Sequence, residues 1–179
     1  MLFRSVQANF DFGRYPLTPA ARAALAAFDF AADDPTKDCA PKGMPTIMEQ
    51  PYPMEIVDRG DTIELLIEEY DTRRVVHMRP TRVSTPGPLG VSVGRWEGTT
   101  LVVVTTRSTW EYFDSVGIRL TIDAVLVERF APSADGARLD YTLTVTDTAT
   151  FTAPVELKKT WIWRPEVARG AYECRPAGR

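Results

Sequence analysis

The stretch at residues 122–130 reads IDAVLVERF and alternates apolar with polar side chains at a period of two. This alternation is typical of a β-strand that buries one of its faces. The apolar row starts at Ile122 and ends at Phe130, and it also carries Glu128. The stretch therefore predicts a strand that places a carboxylate among apolar neighbours.

The same period continues on both sides of this stretch. We predict strands at 54–58, 62–69, 73–78, 90–96, 101–108, 122–130, 138–147 and 155–163, with a further short strand at 171–174. Glycine-containing turns at 58–61, 97–100 and 133–136 fit hairpins. Eight or nine short strands predict a mainly β fold, an antiparallel, lipocalin-like β-barrel, because closure removes exposed edges. A two-sheet sandwich is the alternative.

The segment before the strands has a different pattern. Thr18 fits an N-cap and Pro19 a first helical turn, which predicts one short helix with its body at 20–28. Residues 39–53 hold four prolines, which predict an extended arm. We expect residues 1–53 to form an N-terminal arm packed on a barrel of residues 54–179. An alternative role for the arm is a methionine-lined wall of an apolar pocket.

Composition excludes several classes of protein. A chain of 179 residues, 44% hydrophobic and 25% charged, fits one soluble globular domain and not a disordered chain, a coiled coil or a collagen-like fibre. No apolar stretch approaches the roughly 18–20 residues of a membrane span. The net charge of −3 lacks the basic surplus of a nucleic-acid partner.

Metal ligands and cofactor motifs are scarce. The chain has one histidine, His77, and two cysteines, Cys39 and Cys174, so we expect neither a metal nor another cofactor. No phosphate-binding glycine loop or hydrolase nucleophile motif is present. The two cysteines fit either a disulfide, which indicates an oxidising compartment, or two free thiols. The start of the chain resembles no secretory signal, which fits a cytoplasmic protein or a periplasmic one whose signal has been removed.

Alternation also indicates which ionisable side chains point into the barrel. The predicted interior set contains charged and phenolic groups, namely Glu69, Arg73, His77, Arg95, Glu128, Tyr141 and Lys159. A carboxylate in an apolar row is costly unless it is paired or protonated. One interpretation is a buried ion pair, Glu128 with an arginine or Glu69 with Arg73, that braces the barrel. The other is catalysis, with a glutamate as general base, an arginine stabilising a developing anion and His77 carrying a proton.

Aromatic residues concentrate in a long segment between strands, at 109–121. Long loops on a rigid scaffold often carry lids and ligand contacts. In this segment Tyr112 and Asp114 are candidate acids, while Trp110 and Phe113 are candidate ligand contacts. The remaining ligand-binding candidates lie on predicted strands: Arg95, Trp96, Tyr141 and Trp161. The alternative is that the loop's aromatic side chains only anchor it on the barrel rim.

Several motifs are spread over nearly the whole chain. They are PLTP at 16–19, CAPKGMP at 39–45, PYPMEI at 51–56, YDTRR at 70–74, SVGRWEG at 92–98, ERF at 128–130 and YEC at 172–174. They resemble a largely uncharacterised family of bacterial, often exported, β-rich proteins with a GRWEG-type strand-turn motif. The resemblance implies a shared β-rich fold and brings no established activity.

Two segments depart from the pattern of that family. Its members carry Tyr-Met-Asp-Gly where this chain has VHMR at 76–79, and Gly-His-Pro-His where it has GIRL at 117–120. The loss of both histidines of the second segment implies a more apolar barrel mouth, which suits a hydrophobic small molecule.

Two main hypotheses for the function follow. The first is a cofactor-independent enzyme, of the lyase, isomerase, cyclase or dehydratase type, acting on a hydrophobic small molecule in a barrel pocket. Its catalytic candidates are Glu128, Glu69, Arg73, His77, Tyr112 and Asp114. The second is a non-catalytic small-molecule binding protein of the same fold. A third hypothesis is a structural domain that packs against a partner.

Overall fold

A computed structural model of the chain describes residues 15–80 and 85–175, together with the backbone of residues 2–9. In this part of the chain nine strands form a closed barrel, in which each strand pairs with the next along the chain and the last with the first. The strands are β1 (Leu2–Asn9), β2 (Met54–Asp58), β3 (Thr62–Ile67), β4 (Thr72–His77), β5 (Val91–Glu97), β6 (Thr100–Thr106), β7 (Val125–Pro132), β8 (Arg138–Thr146) and β9 (Val155–Trp163). The predicted fold class, a mainly β barrel with a short helix, is confirmed.

The predicted hairpins are present between β2 and β3, β5 and β6, and β7 and β8. At the tips of the first two, Gly60 and Gly98 have φ of +84° and +61°, a region that glycine occupies without a steric penalty. The prediction of a wholly antiparallel sheet is wrong at one place, because β4 and β5 pair in parallel through Val76–Ser92 and His77–Val93. Residues 78–90 join these strands as a long connection, which parallel pairing requires.

Strand β1 was not predicted from the sequence. It pairs antiparallel with β9 and, through two residue pairs, with β2, and so closes the barrel. Its register on β9 shifts between Ser5 and Gln7. Such a bulge interrupts the period of two, which removes the signal that identifies a strand in the sequence. The predicted short strand at 171–174 does not form.

The barrel interior follows the predicted alternation on β7, β8 and β9. Each of these strands buries every second side chain: Leu126, Glu128 and Phe130 on β7, Leu139, Tyr141, Leu143 and Val145 on β8, and Val155, Leu157, Lys159 and Trp161 on β9. Strand β7 begins at Val125, and Ile122, which the prediction included in the strand, is exposed. The interior thus combines an apolar core with a few charged groups.

The N-terminal segment holds the predicted helix, α1 (Pro19–Ala26), and Thr18 caps it by accepting a hydrogen bond from the Ala21 N–H at 3.2 Å. A second, one-turn helix, α2 (Phe30–Asp33), follows it. Short 3-10 helices span Pro35–Asp38, Thr46–Glu49 and Glu69–Asp71.

The proline-rich arm packs closely on the barrel. Two of its own residues, Met44 and Met48, are buried in the core. Cys39 and Cys174, for which the sequence allowed either state, form a disulfide with a Cα–Cα distance of 5.8 Å. This bond links the arm to the C-terminal segment.

Candidate functional site

The charged group at the centre of the barrel is an ion pair between Arg74 on β4 and Glu128 on β7. The Arg74 guanidinium donates to both carboxylate oxygens, with Nη1 2.8 Å from Oε1. Tyr141 Oη also donates to Oε1, at 2.9 Å. The remaining guanidinium bonds go to Ser92 Oγ and Thr105 Oγ1, at 3.1 and 2.9 Å from Nη2. The side chains of Arg74 and Glu128 are 1% and 0% exposed, so protein groups surround the pair on all sides.

The charge of Glu128 changes the pKa values of two of its neighbours, Arg74 and Tyr141. Burial by itself lowers the pKa of Arg74, but the charge and hydrogen bonds of Glu128 outweigh burial and hold that pKa above its usual value. Burial and the Glu128 charge raise the pKa of Tyr141 well above its usual value. Arg74 therefore remains charged, and Tyr141 remains a neutral hydrogen-bond donor.

The arginine that reaches Glu128 is Arg74, whereas the sequence analysis placed Arg73 and His77 inside the barrel. Strand register explains the correction, because residues opposite each other on paired strands point to the same side of the sheet. Arg74 lies opposite Leu65, which is fully buried, whereas Arg73 lies opposite Leu66. Arg73 therefore points outward and pairs with Glu64 at 2.6 Å, and His77 is half-buried on the same outer face.

Glu69 is buried as predicted, but its ionic partner is Lys42 on the arm and not Arg73. Lys42 Nζ lies 2.8 Å from Glu69 Oε1, while Oε2 is buried without a hydrogen-bond partner. This pair sits where the arm meets the 3-10 helix Glu69–Asp71.

Two further ionisable groups are Glu49, on the arm, and Lys159, on β9 beneath it. Lys159 Nζ donates to the carbonyl oxygens of Met48 and Gln50, at 2.9 and 2.6 Å, and lies 4.9 Å from the centre of the Trp161 ring. Burial lowers the pKa of Lys159 to about 7. Burial, followed by the nearby charge of Asp114, raises the pKa of Glu49 to about 8. One Glu49 oxygen and both amide atoms of Gln50 are buried without partners.

An open cavity lies where the arm, α2 and the 109–121 loop meet, and we call it the arm–loop cleft. Its volume is about 110 Å³. Four aromatic side chains line it, Phe28, Phe30, Trp110 and Tyr112, as do the ionisable side chains Asp34, Lys42 and Asp114. Three of the predicted site residues thus meet here: Trp110, Tyr112 and Asp114.

Hydrogen bonds fix the aromatic wall of the cleft. Trp110 Nε1 donates to Thr46 Oγ1 at 2.8 Å, and the Thr46 hydroxyl donates to the Tyr112 carbonyl at 2.9 Å. The Tyr112 hydroxyl donates to the Asp33 carbonyl, which ties the loop to α2. The Tyr112 ring centre lies 5.5 Å from that of Trp110 and 6.1 Å from that of Phe28. These bonds and ring contacts hold the wall in one arrangement.

Asp114 organises the loop and also lines the cleft. Its Oδ1 accepts from the N–H groups of Val116 and Ile118, at 3.1 and 3.2 Å, whereas Oδ2 is buried without a partner. Burial raises the pKa of Asp114, although these backbone hydrogen bonds oppose the increase. The carboxyl group is therefore a stronger proton acceptor than an ordinary aspartate.

The other predicted ligand contacts lie away from this cleft. Arg95 is exposed and pairs with Glu97 at 2.6 Å, and Trp96 beside it is 54% exposed on the outside of the barrel. Phe113 is fully buried with its ring centre 4.9 Å from that of Tyr15, so it anchors the loop to the core. Trp161 is also fully buried, inside the barrel.

Several residues of these clusters were not predicted as site residues from the sequence. Arg74 belongs to a strand whose two faces each carry one arginine and apolar neighbours, so alternation alone does not identify the inner one. Lys42 and Glu49 lie in the proline-rich arm, where no period exists to assign a face. Phe28 and Phe30 are distant from the loop in sequence and meet it only in the folded chain.

Among residues 15–80 and 85–175, no group of three histidine, cysteine, aspartate or glutamate side chains is arranged to hold a metal ion. None of the helices in this part of the chain has the length and hydropathy of a membrane-spanning helix. Comparison with protein-family models, curated proteins and solved structures returns no match for this chain. The resemblance to an exported β-rich family therefore stays a prediction.

Proposed function

We propose that the protein binds a small organic molecule with an apolar, ring-sized group, and that it does so in the arm–loop cleft and not in the barrel centre. The observation that carries this proposal is the aromatic lining of the cleft by Phe28, Phe30, Trp110 and Tyr112. Small-molecule sites are concave, mostly apolar and supplied with a few placed polar groups. Since an apolar cavity of about 150 Å³ holds benzene, a cleft of about 110 Å³ fits a group of similar size or slightly smaller.

The barrel centre is a weaker candidate for the same role. The Glu128 carboxylate accepts hydrogen bonds from Arg74, Tyr141 and Thr105. Ser92 in turn bonds to Arg74 and Thr105. A ligand that displaced these bonds would leave a buried charge without its partners, which is costly. This arrangement favours the interpretation of Glu128 as a bracing group.

The experiment uses a pair of exposed apolar residues. Phe30 lines the cleft and is 61% exposed, whereas Ile122 is 51% exposed and is not among the residues that line the cleft. Titration of the protein with small aromatics such as toluene, phenol and indole, followed by the nitrogen-15 NMR signal of the Trp110 indole, measures binding. We expect Phe30→Ala to weaken affinity by up to about tenfold, the loss of one aromatic contact, and Ile122→Ala to leave it unchanged. Equal effects of the two substitutions would contradict the proposed location.

A second candidate function is acid–base catalysis on the bound molecule, favoured by the buried Asp114 carboxyl with its unpartnered oxygen. In this role Asp114 removes a proton from carbon next to a carbonyl group of the substrate and returns it. Incubation with aromatic ketones in heavy water tests this role, because exchange replaces the carbon-bound hydrogen with deuterium. Asp114→Asn keeps the acceptor for the loop N–H groups, so an exchange rate equal to that of the wild type excludes Asp114 as the base.

A further inference from the structure

The charges around the arm–loop cleft are not balanced. Lys42 lines the cleft, but Glu69, 2.8 Å away, already neutralises it. Asp34 and Asp114 also line the cleft, and within the described part of the chain neither carboxylate forms an ion pair. Asp34 accepts from the Thr36 hydroxyl and N–H instead, at 2.8 and 2.9 Å. The lining therefore carries an excess of negative charge.

Two basic side chains near the lining residues contact other groups. Lys37, close to Asp34 in sequence, donates to the carbonyl oxygens of Ala31 and Ala32, at 2.9 and 2.6 Å. Arg119 lies 5.3 Å from the centre of the Tyr112 ring and pairs with Glu111 at 2.7 Å. Within the described residues, neither of these two basic side chains forms an ion pair with Asp34 or Asp114.

The aromatic wall favours a cationic ligand. The faces of aromatic rings are electronegative and attract organic cations, with tryptophan the strongest, and several rings around one cation form an aromatic cage. Trp110, Tyr112 and Phe28 approach one another at centre distances of 5.5 and 6.1 Å, with tilted ring planes, so the cleft is lined by rings at several orientations. Asp114, which also lines the cleft, is 2% exposed and has one oxygen without a hydrogen-bond partner.

We propose that the arm–loop cleft binds an organic ammonium ion, whose charged head lies against Trp110 and Tyr112 with Asp34 and Asp114 as counter-charges. This inference rests on the binding function proposed above and specifies the class of its ligand. An ammonium head with methyl substituents combines positive charge with apolar surface, as the lining requires. The cleft volume of about 110 Å³ limits the enclosed part to a head group of about that size.

The experiment compares two probes of the same shape. Choline carries a trimethylammonium head, and dimethylbutanol is its neutral counterpart, in which carbon replaces the ammonium nitrogen. Titration of each into the full chain, followed by the Trp110 indole signal, gives the two affinities, with toluene as a neutral aromatic reference. We expect choline to bind at least about tenfold more tightly than dimethylbutanol. Asp34→Asn and Asp114→Asn should each reduce the affinity for choline about threefold to tenfold and leave that for dimethylbutanol unchanged.

Asp123→Asn provides the control, because it removes the same charge from an exposed position that is not among the residues lining the cleft. If choline and dimethylbutanol bind equally, the ammonium inference is wrong while small-molecule binding stands. If toluene binds and choline does not, the same conclusion follows. If none of the three probes perturbs the cleft, both the ammonium inference and the proposed function are wrong. A loss in Asp123→Asn equal to that in Asp34→Asn would also overturn the inference, because it would indicate a general charge effect.

Discussion

Replacing Glu128 by glutamine tests whether the centre of the barrel is braced by its ion pair. The glutamine keeps the size of the side chain and one acceptor oxygen, but its amide nitrogen replaces an oxygen that accepts from Arg74. The positive charge of Arg74, 1% exposed, then has no counter-charge among its contacts. Removing one partner of a buried ion pair costs about 3–5 kcal/mol, and we expect the free energy of unfolding to fall by that amount.

The same chain offers a matched control for this substitution. Glu97, like Glu128, pairs with arginine, in this case with Arg95 at 2.6 Å and Arg129 at 2.9 Å, but its side chain is 39% exposed. Exposed ion pairs contribute about 0–1 kcal/mol, so Glu97→Gln should change stability by no more than that. The two variants differ in burial and share the chemistry of the change, which isolates the effect of the buried environment.

Equilibrium unfolding in urea, with the Cys39–Cys174 disulfide intact, measures all the variants on one scale. A double variant, Arg74→Met with Glu128→Met, removes both charges and should lose less than Glu128→Gln alone, because no isolated charge stays buried. A cost of Glu128→Gln below about 1 kcal/mol, or one no larger than that of Glu97→Gln, would contradict the bracing role of the ion pair. A double variant less stable than the sum of the two single changes would also contradict it.

Two other predictions concern the pH dependence of stability and the packing at Gly43. Because the pKa of Glu49 is raised to about 8, the folded state holds this proton after the unfolded state has released it, so stability falls as the pH rises from 4.5 to about 8. The pKa of Lys159 is lowered from 10.5 to about 7, so the unfolded state holds this proton longer and stability rises from about pH 7 to 10.5. The two effects together give a minimum of stability between about pH 7 and 8. Unfolding measured across this range should lose the falling limb in Glu49→Gln, and an unchanged profile would contradict the assignment. Gly43→Ala should lower the free energy of unfolding by about 1–3 kcal/mol and shift the NMR signal of the Trp110 indole. The reason is that the added Cβ would lie 2.2 Å from the Pro88 carbonyl oxygen and 2.5 Å from Trp110 Cβ. Gly87→Ala, with open space around its Cβ, is the control, and a loss of stability as large as that in Gly43→Ala would contradict the prediction.

The sequence predicts the barrel well where one face of a strand is uniformly apolar. On β8 and β9 the apolar row is continuous, and the buried positions of Tyr141 and Lys159 follow from it directly. Strand β4 has no such contrast, since Arg73 and Arg74 stand on opposite faces with valines on both. Only its pairing with β3, which sets Arg74 opposite Leu65, determines which arginine points inward. Pairing is a property of two segments, so the pattern of one strand does not contain it.

The arm–loop cleft illustrates the same limit over a longer distance. The aromatic loop at 109–121 is visible in the sequence, and Trp110, Tyr112 and Asp114 are correctly expected to share a region. Their neighbours Phe28 and Lys42 come from the link between α1 and α2 and from the arm, and the bonds of Thr46 and Asp33 to the loop bring these segments together. No local periodicity records such contacts, because the elements that make them are irregular.

The two sets of charged groups differ in how completely they are satisfied, and this difference separates structural from binding roles. At Glu128 both carboxylate oxygens have donors, and the donor arginine is itself bonded to Ser92 and Thr105. A buried network without free atoms stabilises one arrangement and offers nothing to a ligand. Asp114 lines an open aromatic cleft and has one buried oxygen without a partner, and no cationic side chain among the described residues pairs with it. A buried polar atom without a partner is costly, so a cationic ligand that contacts this oxygen reduces that cost and binds more tightly. The expected location of the ligand therefore shifts from the barrel interior to the arm–loop cleft.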